Sequence, residues 1–181
     1  MSVAASTELP PWAQVGERRR AHIARVTALL DAWSAAMRLD ADERAAWRDA
    51  GRFHDALRDA PEPLLRELAG DAHAPALLLH GPAAAARLAR EGETRAHVLE
   101  AVRFHTIGHA EWARTGRALY MADFLEPGRT FDVERRAELA AAVPEDFDAA
   151  FRRVVQHRIA WTLREGKALH EETARLWNAI R

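Results

Sequence analysis

The sequence predicts an all-α protein built as a single domain. Three observations carry that expectation. Apolar residues recur at three- and four-residue steps over long stretches. No segment shows the two-residue alternation of a half-buried strand, and there is no internal repeat or linker. Proline, glycine and acidic capping residues then divide the chain into pieces of helical length.

Residues 1–10 lack this periodicity and are expected to form a flexible tail, with the domain occupying 11–181. After Pro10-Pro11, Ile23, Val26, Leu29, Leu30, Trp33 and Met37 make one inward stripe, and His22, four before Val26, falls on it. Asp40 followed by Glu43 resembles a capping box. It opens a helix from about 41 to 57 with Trp47, Ala50, His54 and Leu57 on one face. Pro61 and Pro63 punctuate the chain before a short helix, about 62–69, that ends at Gly70. Gly81-Pro82 ends one helical piece and starts another, since proline fits the first turn, and His80 stands just before that start. Thr94 is the expected cap of the next helix, whose buried side carries Val98, Ala101, Val102 and His105. Residues 106–112 read as a loop. A helix from about 112 to 125 places Leu119 and Asp123 one turn apart and stops before Pro127. Asp132 and Asp146 are the expected caps of two further helices, and the last two helices separate near Gly166.

Composition narrows the function. A chain of 181 residues with 49% hydrophobic and 29% charged residues suits one soluble core. A net charge of -1 offers no overall basic field, so no stable nucleic-acid partner is expected. The absence of cysteine excludes disulfides, iron–sulfur clusters and thiolate zinc sites, so a metal would be held by His, Asp, Glu or water. No apolar run approaches a membrane span, and the first residues lack the basic and apolar regions of a signal peptide, which makes the cytoplasm the expected compartment.

The stretch 52-RFHDALRD-59 puts adjacent His54 and Asp55 into an otherwise core-facing segment. Alone, such a pair reads as a surface pair or a satisfied buried hydrogen bond. It is not alone, because His22, His54, Asp55, His80, His105 and Asp123 each sit at or beside a position the periodicity assigns to the core. A buried charge is costly unless paired or metal-bound. Four imidazoles and two carboxylates suffice for two divalent ions if one carboxylate bridges them. Such a site generates hydroxide near neutral pH and clamps both sides of an in-line attack on phosphorus.

The order of these residues (an early His, an adjacent His-Asp, a late Asp) resembles the HD-domain metal phosphohydrolases, and the two intervening histidines resemble the binuclear members. The stretch 103-RFHTIGHAEWARTGRALYMADFLEPGR-129 is similar to the YqeK-type family, marked by an HTTG-like turn and an ADKIEPxR-like segment. Here these read His105-Thr106-Ile107-Gly108 and Ala122-Asp123-Phe124-Leu125-Glu126-Pro127-Gly128-Arg129. His80-Gly81-Pro82 resembles the family's LLHG segment, and 173-TARLWNAIR-181 its TxxxYN ending, with Trp177 where Tyr is usual. The likeness runs from about Arg18 to the end.

The resemblance implies an HD-type helical bundle that hydrolyses diadenosine tetraphosphate symmetrically to two ADP at a di-iron site. It implies His22, His54, Asp55 and Asp123 around one metal, and His80 and His105 on the other, with Asp55 bridging. Nitrogen and oxygen ligands equally suit manganese, cobalt, nickel or zinc. Asp55 and Arg58 are the expected catalytic residues, and Arg58, Thr106, His109 and Arg129 the expected substrate-binding ones. Arg58 replaces the family's frequent Lys and, one turn beyond His54, is expected to reach over the site from its helix end. His109 stands where a basic residue is frequent. Trp112 reads either as helix packing or as a stacking surface for a base, and Arg19 or Arg20 is within reach of a phosphate near His22. His73, His97, His157 and His170 match no motif. The expected partner is a nucleotide substrate, with a homodimer open. Two alternatives stand beside this reading: a phosphatase for mononucleotides or other phosphate esters using the same site, or a non-enzymatic nucleotide sensor or RNA-associated adaptor.

Overall fold

The structure, a computed structural model, describes residues 8–181. Of the tail expected at 1–10, residues 1–7 lie outside the described residues. Beyond them, the Glu8 carbonyl accepts a hydrogen bond from the Arg52 guanidinium.

Among the described residues the chain forms nine α-helices and no strand: α1 (Glu17–Ala36), α2 (Ala41–Phe53), α3 (Glu62–Ala69), α4 (His80–Arg90), α5 (Ala96–Phe104), α6 (Arg114–Leu125), α7 (Val133–Ala142), α8 (Phe147–Arg164) and α9 (Glu171–Ile180), with a single 3-10 turn at Ala76–Leu78. The centre of the bundle is α6. Every residue from Ala118 to Leu125 is buried, because α1, α2, α5, α7 and α8 all pack on it. A large core of Val26, Leu30, Trp33, Trp47, Leu119, Met121, Phe151 and their neighbours surrounds it. A smaller core of Leu57, Leu65, Leu79, Ala83, Ala84 and Leu88 joins α3 to α4. The two meet along the chain between Ala50, in the large core, and Leu57, in the small one. His54 and Asp55 lie in that short span. No helix among the described residues is long and apolar enough to cross a membrane.

Two glycines let helices approach where the site forms. A Cβ at Gly51 would stand 2.9 Å from Leu30 Cδ1 and 3.2 Å from Thr27 Cα, so only glycine lets α2 lie this close to α1. A Cβ at Gly81 would stand 2.9 Å from the carbonyl oxygens of both Val102 and Arg103, so α4 rests directly on the end of α5.

Several expected boundaries shift, for identifiable reasons. The second helix ends at Phe53, not 57. His54–Ala60 continue as tight turns, with Arg58 N–H donating to Asp55 and Ala60 N–H to Leu57, so Arg58 projects from a turn. His80 is the first residue of α4, not the residue before it. Thr94 does not cap α5; the Glu93 carboxylate takes the Arg95 N–H at 2.9 Å. Asp132 stands at the start of α7 without capping it, its carboxylate bound to Arg164 at 2.8 Å. Asp40 and Asp146 do cap, accepting from Glu43 and Ala149. Glu43 does not close a reciprocal box but meets Arg114 at 3.4 Å.

Candidate metal centre

His22 comes from the first turns of α1, His54 and Asp55 from the turn that follows α2, His80 from the start of α4, His105 from just past the end of α5 and Asp123 from α6. All six converge, with relative exposures between 0% and 6%. The imidazoles are oriented from behind. Nδ1–H of His54 donates to the Gly51 carbonyl at 2.8 Å, that of His80 to Leu77 at 3.1 Å and that of His105 to Val102 at 2.8 Å. Each reaches three residues back, along the turn that carries it. His22 differs, since its Nδ1 meets the Glu126 carboxylate at 3.1 Å. A proton on Nδ1 leaves the Nε2 lone pair aimed inward.

The Nε2 atoms meet in two pairs: His22 with His54 at 3.3 Å, and His80 with His105 at 3.1 Å. Two lone pairs that close repel each other unless a proton or a cation lies between them. Two imidazoles each about 2.1 Å from one ion stand about 3 Å apart when adjacent in its coordination shell. Asp55 faces both pairs. Its Oδ2 is 3.6 Å from Nε2 of both His22 and His54, and its Oδ1 is 3.1 Å from His80 and 3.4 Å from His105. Asp123 Oδ1 adds a contact of 3.2 Å to His22. The donor atoms of His22, His54 and Asp123 lie within 4.8 Å of one another, as do those of His54, Asp55 and His105, so His54 borders both sets. A buried nitrogen and oxygen donor set without sulfur fits divalent first-row ions.

Charge in the cluster is strongly partitioned. Burial pushes the Asp55 carboxyl up, but the neighbouring His54 and the His105 and His80 rings that face it hold it well below the usual carboxylate range. Asp123 is likewise held well below, with Arg129 and His22 overcoming burial. Burial lowers His54 to about 4 and also lowers His80. Burial would lower His22 too, yet its hydrogen bonds to Asp123 and Glu126 outweigh it and raise it to about 9. The same anionic pull would favour a divalent cation at that nitrogen.

An outer layer fixes these ligands. Arg129 donates from Nε to the Asp123 carbonyl at 2.9 Å and from Nη2 to its Oδ1 at 2.7 Å. Arg19 binds Asp55 Oδ2 at 2.7 Å. Thr106 Oγ1 lies 3.4 Å from His80 Nε2 and 3.3 Å from His105 Nε2. Arg136, only 2% exposed, donates to the carbonyls of Phe124, Glu126, Arg129 and Phe131 and so knits the turn after α6. Arg158 donates to the Thr106 carbonyl at 3.0 Å and stands 3.6 Å from Asp123 Oδ2.

Beside His22 opens a cleft of about 610 Å³ lined by Arg18, Arg19, Arg25, Arg129, Glu126 and Phe131, among others. Four arginines on one cleft offer a strong field for an anionic ligand. The charge of Arg58 acts on His80, and its side chain has no hydrogen bond or ion pair among the described residues.

Two candidate residues stand elsewhere. His109 stacks on Phe104 with ring centroids 4.6 Å apart and accepts from the Glu111 N–H; neither contact is with the cluster. Trp112 is 3% exposed, packs against Tyr120 and donates to the Glu100 carbonyl, so it is a core residue and not a stacking surface. Sequence reading missed Arg25, Arg136 and Arg158. Only Arg25 carries a local signal, lying one turn from His22 on the same helix.

This all-α fold with its buried centre is similar to HD-type hydrolase domains. A solved structure described as a predicted HD superfamily hydrolase involved in NAD metabolism, from Clostridium acetobutylicum, superposes with a TM-score of 0.76 at 27% identity, covering 92% of this chain and 90% of that one. The chain's curated homologues are named symmetrical bis(5'-nucleosyl)-tetraphosphatases. The one from Bacillus subtilis (strain 168) is 26% identical over 174 residues, 91% of this chain and 90% of its own. That from Staphylococcus aureus (strain NCTC 8325 / PS 47) is 41% identical over 54 residues, 29% of this chain and 28% of its own. No protein-family model matches the chain.

Proposed function

We propose that this hydrolase cleaves dinucleoside polyphosphates, diadenosine tetraphosphate foremost, symmetrically to two ADP. The observation that carries the proposal is the placement of Asp55, with one oxygen toward each histidine pair, beside an arginine-lined cleft. The names of the curated homologues point to the same substrate.

In this reading His22, His54, Asp55 and Asp123 would hold one divalent ion, and His80 and His105, together with Asp55, would hold a second. Two such ions, iron first and manganese, cobalt, nickel or zinc otherwise, would supply an acidified water and charge neutralisation at phosphorus. The protein's own groups do the rest. Arg18, Arg19 and Arg25 bind one half of the polyphosphate along the cleft. Arg58, whose side chain has no hydrogen bond or ion pair among the described residues, binds phosphate on the His80 side through two parallel N–H donors. Arg129 contributes to the cleft and also keeps Asp123 ionised and oriented. Thr106 offers a hydroxyl beside the His80–His105 pair. His109 has the weakest claim on phosphate, because its contacts lie with Phe104 and Glu111. The domain is taken as residues 11–181.

The test is product analysis. Purified protein is incubated with diadenosine tetraphosphate, and separately with ADP, AMP and a simple aryl phosphate, alongside a chelated control. The expected result is metal-dependent formation of ADP alone from the dinucleotide. ATP plus AMP as products would contradict symmetric cleavage. Turnover of mononucleotides only would favour the phosphatase reading, and no turnover with any metal would favour a binding role.

A further inference from the structure

Three of the four histidines turn Nδ1 to a neutral backbone carbonyl, whereas His22 turns it to Glu126. Glu126 is 2% exposed and takes the Gly128 N–H at 2.6 Å and Arg25 Nε at 2.5 Å. A carboxylate behind an imidazole raises its basicity as a ligand more than a carbonyl does. The two histidine pairs are therefore built unequally. Arg25, whose side chain is 37% exposed and lines the arginine cleft, competes with His22 for the same carboxylate.

Resting on the metal-centre reading above, we infer that Glu126 is a positioning residue whose charge makes the His22 half of the centre the tighter metal site, and that Arg25 moderates that charge from the cleft. The chain of contacts is short: Arg25 to Glu126, Glu126 to His22 Nδ1, and His22 Nε2 into the cluster. An anion that draws Arg25 away from Glu126 leaves more negative charge on the carboxylate and strengthens His22 as a donor. Phosphate binding in the cleft is thereby coupled to metal retention at one half of the centre.

The experiment is a cobalt(II) titration of chelator-stripped full-length protein, followed by calorimetry and visible absorption, with circular dichroism as the folding control. Wild type is expected to take up two ions in two unequal steps, the tighter one being the step abolished by His22→Ala. Glu126→Gln keeps the shape of the side chain and removes its charge. It is expected to weaken that step roughly 10–100-fold and leave the other unchanged. Arg25→Gln, at a half-exposed position, is expected to leave the His22 step at least as tight as in wild type. Of the two variants only Glu126→Gln therefore weakens the His22 step, and it leaves the other step unchanged, which a merely structural role for Glu126 would not do. Unchanged affinities in Glu126→Gln, equal weakening of both steps, or weakening of the His22 step by tenfold or more in Arg25→Gln would each overturn the inference while leaving the centre itself intact. A wild-type protein that takes up no ion would overturn the metal-centre reading as well. If Glu126→Gln does not fold, the Arg25→Gln titration still decides.

Discussion

His80 and His105 meet Nε2 to Nε2 at 3.1 Å although they are 25 residues apart in the chain. The contact depends on Gly81, whose missing side chain lets α4 rest on the last carbonyls of α5. Gly81→Ala is expected to destabilise the fold by about 1–3 kcal/mol, because the clash is with backbone and not with a flexible side-chain end. It should also lower metal content at the His80–His105 half. Thermal unfolding with parallel metal analysis checks this, and a wild-type Tm with full metal content would contradict the role assigned to Gly81.

The Arg58 side chain has no hydrogen bond or ion pair among the described residues, yet its charge reaches His80. Arg58→Ala is therefore expected to change stability by no more than about 0.5 kcal/mol. It should lower turnover of diadenosine tetraphosphate: kcat and kcat/KM together if the contact forms in the transition state, KM alone if it is uniform binding. Arg58→Lys should recover much of the loss. Wild-type kcat and KM in Arg58→Ala would leave phosphate binding to the cleft arginines.

Arg136 is the reverse case, a buried cation with four carbonyl partners and no carboxylate partner among the described residues. Arg136→Met strands those carbonyls and releases the turn bearing Glu126 and Arg129. The expected loss is about 3–5 kcal/mol, read as a lower denaturant midpoint at unchanged slope. A loss below about 1 kcal/mol would show that the turn holds itself.

What the sequence makes legible here follows physical lines. His22, His54, His80, His105, Asp55 and Asp123 stand out because each interrupts an apolar stripe, and a stripe is a local, periodic signal. The pairing of Arg25 with Glu126 spans 101 residues and leaves no such trace. Arg136 looks like any exposed helical arginine, since its partners are carbonyls that a sequence does not display. The end of α2 is missed because three-residue turn bonds after Phe53 preserve a helix-like spacing through Leu57. Thr94 loses its cap role because the neighbouring Glu93 reaches both the N–H and the guanidinium of Arg95.

Asp55→Ala is expected to abolish turnover while the helices persist. Loss of an outer-layer partner typically costs roughly 10–100-fold, and a carboxylate serving both histidine pairs should cost more. Turnover measured beside circular dichroism decides, and near-normal activity in a folded variant would count against the mechanism.

The most direct measurement of the account is anomalous diffraction from crystals of the protein soaked in excess manganese(II). Two peaks per chain, about 4 Å apart and both contacting Asp55, are the expected result. A single peak held by His22, His54, Asp55 and Asp123, with His80 and His105 turned elsewhere, would contradict the shared centre.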